Sequence, residues 1–270
     1  MHRMSLFLFL VIIFPRAHGA FQEGMLGPMV VGMGGVSVAV SGSCWGTATN
    51  PSLLSEQRIM NLSISFSPHR FGLTELATGG LLLVHPTPWG TFGAVISHTG
   101  FNLYREMVVG IGGGWRIGSG IHAGLSIRYF HLAIEGHGKD QTIGVQAGLL
   151  VNLNPKLNIG FSAGNLNSPV IGERRERIPQ VYRTGISYKP ATNVEVALDL
   201  VKDILHPLEF RAGFQYRLLN MLVLRCGTGV EPSQFGGGIG LELSSLGFDY
   251  AFTHHSVLGI THQLALNVDV

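Results

Sequence analysis

The 270-residue chain carries 18 Lys and Arg, 16 Asp and Glu and two cysteines, with 13% charged residues, 38 glycines and a mean hydropathy of +0.31. That balance leaves no basic excess for a nucleic-acid backbone, and two cysteines are too few for a disulfide-stapled scaffold. So apolar a composition is unusual for an exported water-soluble domain and ordinary for a barrel whose outside is solvated by lipid.

At the N-terminus, His2 and Arg3 precede an apolar run from Leu6 to Phe14, followed by Pro15, Arg16 and the small-residue stretch Ala17-His18-Gly19. The run is far shorter than the roughly 20 apolar residues of a helical span, so residues 1–19 read as a secretory signal peptide, cleaved after Gly19 or Ala20. Arg3 and Arg16 leave with it, so 16 of the 18 basic side chains remain to face 16 acidic ones.

Residues 20–57 are dense in small side chains and lack a sustained strand alternation. Gly32, Gly34 and Gly35 permit positive φ or close backbone approach, and Asn50-Pro51 is a turn signal that opens a short helix over Ser52 to Glu56. Two readings stand: a flexible leader, or a compact plug packed inside something larger.

From residue 58 onward the period is two. Leu62, Ile64 and Phe66 alternate with Asn61, Ser63, Ser65 and Ser67, and runs near Ala77 to His85 and Thr91 to His98 are parted by a proline turn at Pro86 to Pro88. Ile121, Ala123, Leu125, Ile127 and Tyr129 oppose His122, Gly124, Ser126 and Arg128, and similar segments follow at 142–149 and 157–163. Residues 165–180 form the longest polar interval, with Glu173 to Arg177 a mixed-charge run that reads as a solvated loop. The alternation resumes at Tyr182 and Val194 and is plainest in Leu208 to Arg217, where Leu208, Phe210, Ala212, Phe214 and Tyr216 take one parity and Glu209, Arg211, Gln215 and Arg217 the other.

About fourteen such segments can be counted, each near the ~10 residues that a tilted strand needs to cross a bilayer. A soluble sandwich would bury the apolar parity against a second sheet; a transmembrane barrel turns it towards lipid. The even count, the charges confined to one parity and the aromatics near segment ends favour the barrel, an all-β antiparallel fold over residues 58–270, with the 20–57 segment either its leader or its plug. Its inward charges are then Glu195, Asp199, Glu209, Arg211, Arg217, Arg225, Glu242 and Asp249, expected to pair across neighbouring strands and anchor the plug. Cys44 and Cys226 fall on opposite sides of such a wall, which predicts two free thiols.

Catalytic readings are weak. His254-His255 has no further His or Cys at ligand spacing, so neither a metal nor a cofactor is expected. His122 and Ser126 share an inward parity without a third hydrolytic partner, which leaves a non-enzyme as the expectation. The glycine strings Gly112 to Gly114 and Gly236 to Gly238 lack the helix and lysine of a phosphate loop and read as strand glycines leaving room for the plug.

Gly32-Met33-Gly34-Gly35 through Val40, then Asn50-Pro51 and Leu53-Leu54, resembles the N-terminal signature of the PorV/PorQ family, relatives of the FadL-type outer-membrane transporters. Ala163 to Leu166, Ile178-Pro179 and Arg183 to Gly185 resemble its middle section, and Phe248 to Phe252 with Leu258 to His262 its closing strands. Ser41, Gly42 and Ser43 stand where the family carries acidic residues, and Ser52 replaces an alanine. The resemblance implies a fourteen-stranded barrel in the bacterial outer membrane with a hatch in its lumen. It also implies a non-enzymatic accessory platform for protein export, as in type IX secretion, or for surface attachment, whose partners are membrane lipid and exported proteins. The wider FadL-type relationship implies the alternative, a passive gated transporter of hydrophobic small molecules such as fatty acids. A transporter predicts an apolar pocket continuous between plug and wall, whereas a platform predicts a sealed lumen and long exposed loops.

Overall fold

The computed structural model describes residues 20–21, 26–219 and 221–270, and the leader expected over 1–19 lies outside the described residues. Fourteen antiparallel strands close into a barrel. In chain order they are β1 (Asn61–Ser67), β2 (Thr78–Thr87), β3 (Gly90–Phe101), β4 (Tyr104–Gly118), β5 (Ile121–Ile134), β6 (Gly138–Asn154), β7 (Leu157–Gly164), β10 (Val181–Ala191), β11 (Val194–Asp203), β12 (Leu208–Leu218), β13 (Leu222–Val230), β14 (Gln234–Leu243), β15 (Leu246–His255) and β16 (Gly259–Asp269). Two further short strands, β8 (Val170–Ile171) and β9 (Glu176–Arg177), pair only with each other, as a hairpin in the connection from β7 to β10.

Closure is direct: β1 pairs with β16 on one side and β2 on the other, so the first strand meets the last and no edge is left unpaired. The Asn61 amide donates to Asp269 at 2.7 Å across this seam. The alternation of the sequence sorts side chains to the two surfaces of the wall. On β11 the inward Ala197 and Asp199 are 1% and 2% exposed, while the outward Leu198 between them is 57% exposed. Among the described residues no helix is long and apolar enough to cross a membrane, and the strands carry the apolar surface instead. On β6 the outward row Ile143, Val145, Ala147, Leu149, Val151 and Leu153 covers about 33 Å of strand, which at the usual tilt gives the ~25 Å height of a lipid-facing belt. The fold is therefore a fourteen-stranded transmembrane barrel, the count that the period-two pattern anticipates.

The two ends differ. Connections such as 88–89, 119–120, 155–156, 192–193 and 244–245 are two-residue turns at the end where β1 begins and β16 finishes. The long connections 68–77 and 165–180 are at the other end. Short turns mark the periplasmic side of such barrels and long loops the external side.

Candidate functional site

The lumen is filled by the chain's own N-terminal segment. Helix α1 (Pro28–Gly32) starts with proline in its first turn, where no amide is needed, and packs on the inner side of β14 and β15. The chain then reverses at Gly34 and Gly35, whose φ values of 68° and 90° suit glycine, with the amide of Gly35 donating to the Val30 carbonyl at 2.8 Å. Met33 is fully buried. Opposite it, a Cβ on Gly213 would lie 2.7 Å from the Met33 oxygen, and one on Gly227 would overlap the Met33 backbone. Further along, a Cβ on Gly114 would lie 2.7 Å from the Ser55 amide. Of the two glycine strings, Gly114, Gly236 and Gly238 face the plug, whereas Gly113 and Gly237 lie against the outward Trp115 and Phe252 rings. The wall glycines thus let plug backbone rest on strand backbone.

Polar wall side chains hold that backbone. Asp199 Oδ2 accepts the amides of Ser37 and Val38 at 2.8 and 3.1 Å. Arg211 donates from Nη1 to the Gly35 carbonyl at 3.0 Å, while its Nε and Nη2 bind Glu209. Gln146 and Arg128 donate to the carbonyls of Thr49 and Ala48. The Trp45 indole donates to Ser63 on β1 at 2.8 Å.

Asn50 and Pro51 open the 3-10 turn Pro51–Glu56, as the sequence suggests for a short helix there. Asn50 Oδ1 accepts from the amide and hydroxyl of Ser52, and its Nδ2 donates to the Val38 carbonyl at 2.7 Å. One fully buried side chain therefore caps the turn and ties it to the Asp199-bound segment of the plug.

The remaining inward charges pair differently from the sequence expectation. Arg225 on β13 meets Asp249 on β15 at 2.5 Å, reaching over β14. It does so above Gly240, where a Cβ would come 2.9 Å from Arg225 Nη1. Arg217 on β12 likewise reaches over β13 to Glu242, and Arg211 pairs with Glu209 on its own strand. Glu195 accepts from Ser187 at 2.5 Å and lies 3.8 Å from Lys189. Two luminal pairs thus bridge second-neighbour strands, one lies within a strand, and Glu195 alone pairs across adjacent strands as the sequence implies. Arg183, 4% exposed on the inner wall, belongs to the same charged lining, as does Arg128; both were legible only as inward-parity positions.

At the loop end the lining turns apolar. Phe21, Phe130, Leu132, Ile171 and Ile178 form a buried cluster. The Phe21 ring sits edge-on to Phe130, centroids 5.1 Å apart, and its amide donates to Glu106 at 3.0 Å. Residues 165–180 are not a solvated loop throughout. Glu173 to Arg177 are exposed, but Ile171 and Ile178 turn under the β8–β9 hairpin into the cluster. Between plug and wall a small cavity of about 30 Å³ lies next to Leu54, Val95, Gly110 and Arg128.

The two inward residues with a hydrolytic look go separate ways. His122 Nδ1 pairs with Ser55 of the plug at 2.7 Å, and Ser126 donates to Gln146 at 3.3 Å. Among the described residues no three His, Cys, Asp or Glu converge as metal ligands. Cys44 lies in the plug and Cys226 on the outer face, both as free thiols. Burial pushes the Cys44 thiol up to about 12.

No protein-family model and no curated protein matches the sequence. Solved structures do. The chain is similar to the toluene transporter TbuX of Ralstonia pickettii, with 13% identity, a TM-score of 0.67 and coverage of 90% of this chain and 97% of that one. It is similar to the CymD monoaromatic hydrocarbon channel at 15% identity and a TM-score of 0.65, covering 90% and 96%. A Pseudomonas aeruginosa FadL homologue aligns at 10% identity and a TM-score of 0.61, covering 90% and 98%. At these identities the likeness is one of fold alone.

Proposed function

We propose that this chain passes small hydrophobic molecules, of the size of one aromatic ring, across the bacterial outer membrane, and that its plug closes the path between passages. One observation carries the reading: a phenyl ring, that of Phe21, already occupies an apolar recess at the external end of the lumen, enclosed by Phe130, Leu132, Ile171 and Ile178. A recess that holds a phenyl group against another ring suits a monoaromatic ligand. Two of the similar structures are named for hydrocarbon or toluene passage, which supports the same substrate class.

In this account a ligand replaces Phe21 and the plug then shifts. The plug is held by non-covalent contacts, hydrogen bonds such as those to Asp199 and Arg211 and apolar packing such as that of Trp45 and Leu54 on Leu82 and Val84, so it shifts without unfolding the wall. Equilibrium binding of radiolabelled toluene to the detergent-solubilised barrel tests this. Wild type binds weakly, Phe21→Ala binds more tightly because the internal competitor is gone, and Phe130→Asp does not bind. Equal binding by all three contradicts the proposal.

A second reading is the one that the PorV/PorQ resemblance implies, a docking platform for exported proteins. The observation in its favour is how tightly the plug is seated: wall glycines such as Gly213 and Gly227 bring strand backbone against plug backbone. Recovery of one stoichiometric protein partner from native membranes, with no uptake of hydrophobic solute, selects this reading over the first.

A further inference from the structure

Strands β3 to β6 are 12, 15, 14 and 17 residues long, so this arc of the wall rises above its apolar belt at the external end. Pairing register fixes what stands there on the outward surface. Arg105 on β4 is opposite Ala133 on β5, which is opposite Lys139 on β6. One row closer to the membrane, His98, Met107, His131 and Gln141 are successive partners across the same four strands. Strand spacing separates Arg105 from Lys139 by about 10 Å and the two rows by about 7 Å. Below them the same columns are apolar or aromatic: Ile96, Val109, Tyr129 and Ile143.

The cations of this patch are free. Among the described residues neither Arg105 nor Lys139 has an ion-pair or hydrogen-bond partner, in contrast to Arg211, Arg217 and Arg225 of the lumen. The nearby carboxylates do not neutralise them. Glu106 has inward parity and binds Tyr104 and Phe21. Asp140 also has inward parity and accepts from the Gln141 and Gly172 amides. Glu135 and His137 belong to the turn beyond both rows.

We infer that this patch binds a phosphate-bearing lipid of the outer leaflet, with phosphate on Arg105 and Lys139, donors from His98 and His131, and acyl chains along Ile96, Val109 and Ile143. Two observations commit the site to a lipid and not to free phosphate. The cations face the bilayer, away from the pore, and they stand four residues above Ile143, the first rung of the belt on β6. That places them at headgroup depth, where Lys and Arg are attracted to anionic lipid. A guanidinium also suits phosphate as a forked donor.

Native mass spectrometry of the full chain in a non-ionic detergent tests the site, with diphosphoryl lipid A as probe and monophosphoryl lipid A and phosphatidylcholine as comparisons. Wild type retains the diphosphoryl lipid preferentially, and R105A/K139A loses at least about tenfold in affinity. R105K/K139R retains most of the binding, and millimolar inorganic phosphate does not compete. A heat-induced shift in gel mobility equal to that of wild type shows that each variant is folded. Equal retention by the double-alanine variant, no preference among the three lipids, or full competition by inorganic phosphate each overturns the assignment.

Discussion

Asp199 and Ser37 are joined at 2.8 Å, a wall carboxylate accepting the amide of a plug residue 162 positions earlier in the chain. The same oxygen takes the next amide, that of Val38, so one side chain serves two consecutive backbone donors inside a closed barrel. The carbonyl of Val38 is in turn held by Asn50, so the plug's two halves and β11 meet at this point.

Asp199→Ala removes the acceptor and leaves both amides buried without a partner. The expected cost is about 2–4 kcal/mol, read as a lower unfolding midpoint in urea, with spontaneous conductance in planar bilayers because the plug is no longer held. Asp199→Asn keeps one acceptor oxygen and falls between the two. A variant that unfolds and conducts as wild type does removes Asp199 from the account.

Gly227 and Gly79 make a matched pair. A Cβ on Gly227 overlaps the Met33 backbone, while one on Gly79 meets nothing within 4 Å. Gly227→Ala is therefore expected to dislodge the plug or lower thermal stability by about 1–3 kcal/mol, the scale of overpacking, and Gly79→Ala to be neutral. Melting curves of the two variants decide it.

Arg225 and Asp249 test how charge is held in the wall. Arg225→Leu or Asp249→Leu alone strands a buried charge and costs about 3–5 kcal/mol, whereas the double variant costs less than either. A double-mutant cycle with strictly additive losses shows that the pair is not coupled.

Cys44 reports on the plug. With its folded pKa at about 12 against an ordinary 9.0, the thiol stays protonated in the folded barrel at neutral pH and resists maleimide. A raised folded value means that this group's contribution to stability is complete below pH 9 and is lost as pH climbs towards 12. Labelling of Cys44 at pH 8 should be negligible, and it should accelerate when toluene is added or Asp199 is replaced by alanine. Rapid labelling of resting wild type contradicts a tightly seated plug.

Much of the wall was legible in the sequence because a strand has only two faces. Leu222, Leu224 and Cys226 alternate with Val223 and Arg225, and that alone sends Arg225 inward and Cys226 to lipid. What the period cannot encode is curvature and reach. It marks Arg225 and Asp249 as inward but not that a glycine on the strand between them lets them touch. It puts His122 and Ser126 on one surface, yet two residue pairs along a strand hold them about 13 Å apart, and the true partner of His122 is Ser55, 67 residues away. The run Glu173 to Arg177 is exposed, as its charges imply, but nothing local distinguishes Ile171 and Ile178, which turn inward only because Phe21 and Phe130 offer an apolar recess. The glycine track has its reason in the plug backbone that lies on it.

The central claim is that the plug must move for a small hydrophobic molecule to cross. Ser55→Cys with His122→Cys places two thiols where a 2.7 Å hydrogen bond now joins plug to wall, and oxidation ties them. Radiolabelled toluene uptake into proteoliposomes should fall to the protein-free level in the oxidised form and return on reduction. Uptake that is equally fast with the tether closed would mean that the path does not pass the plug, or that the chain is not a conduit.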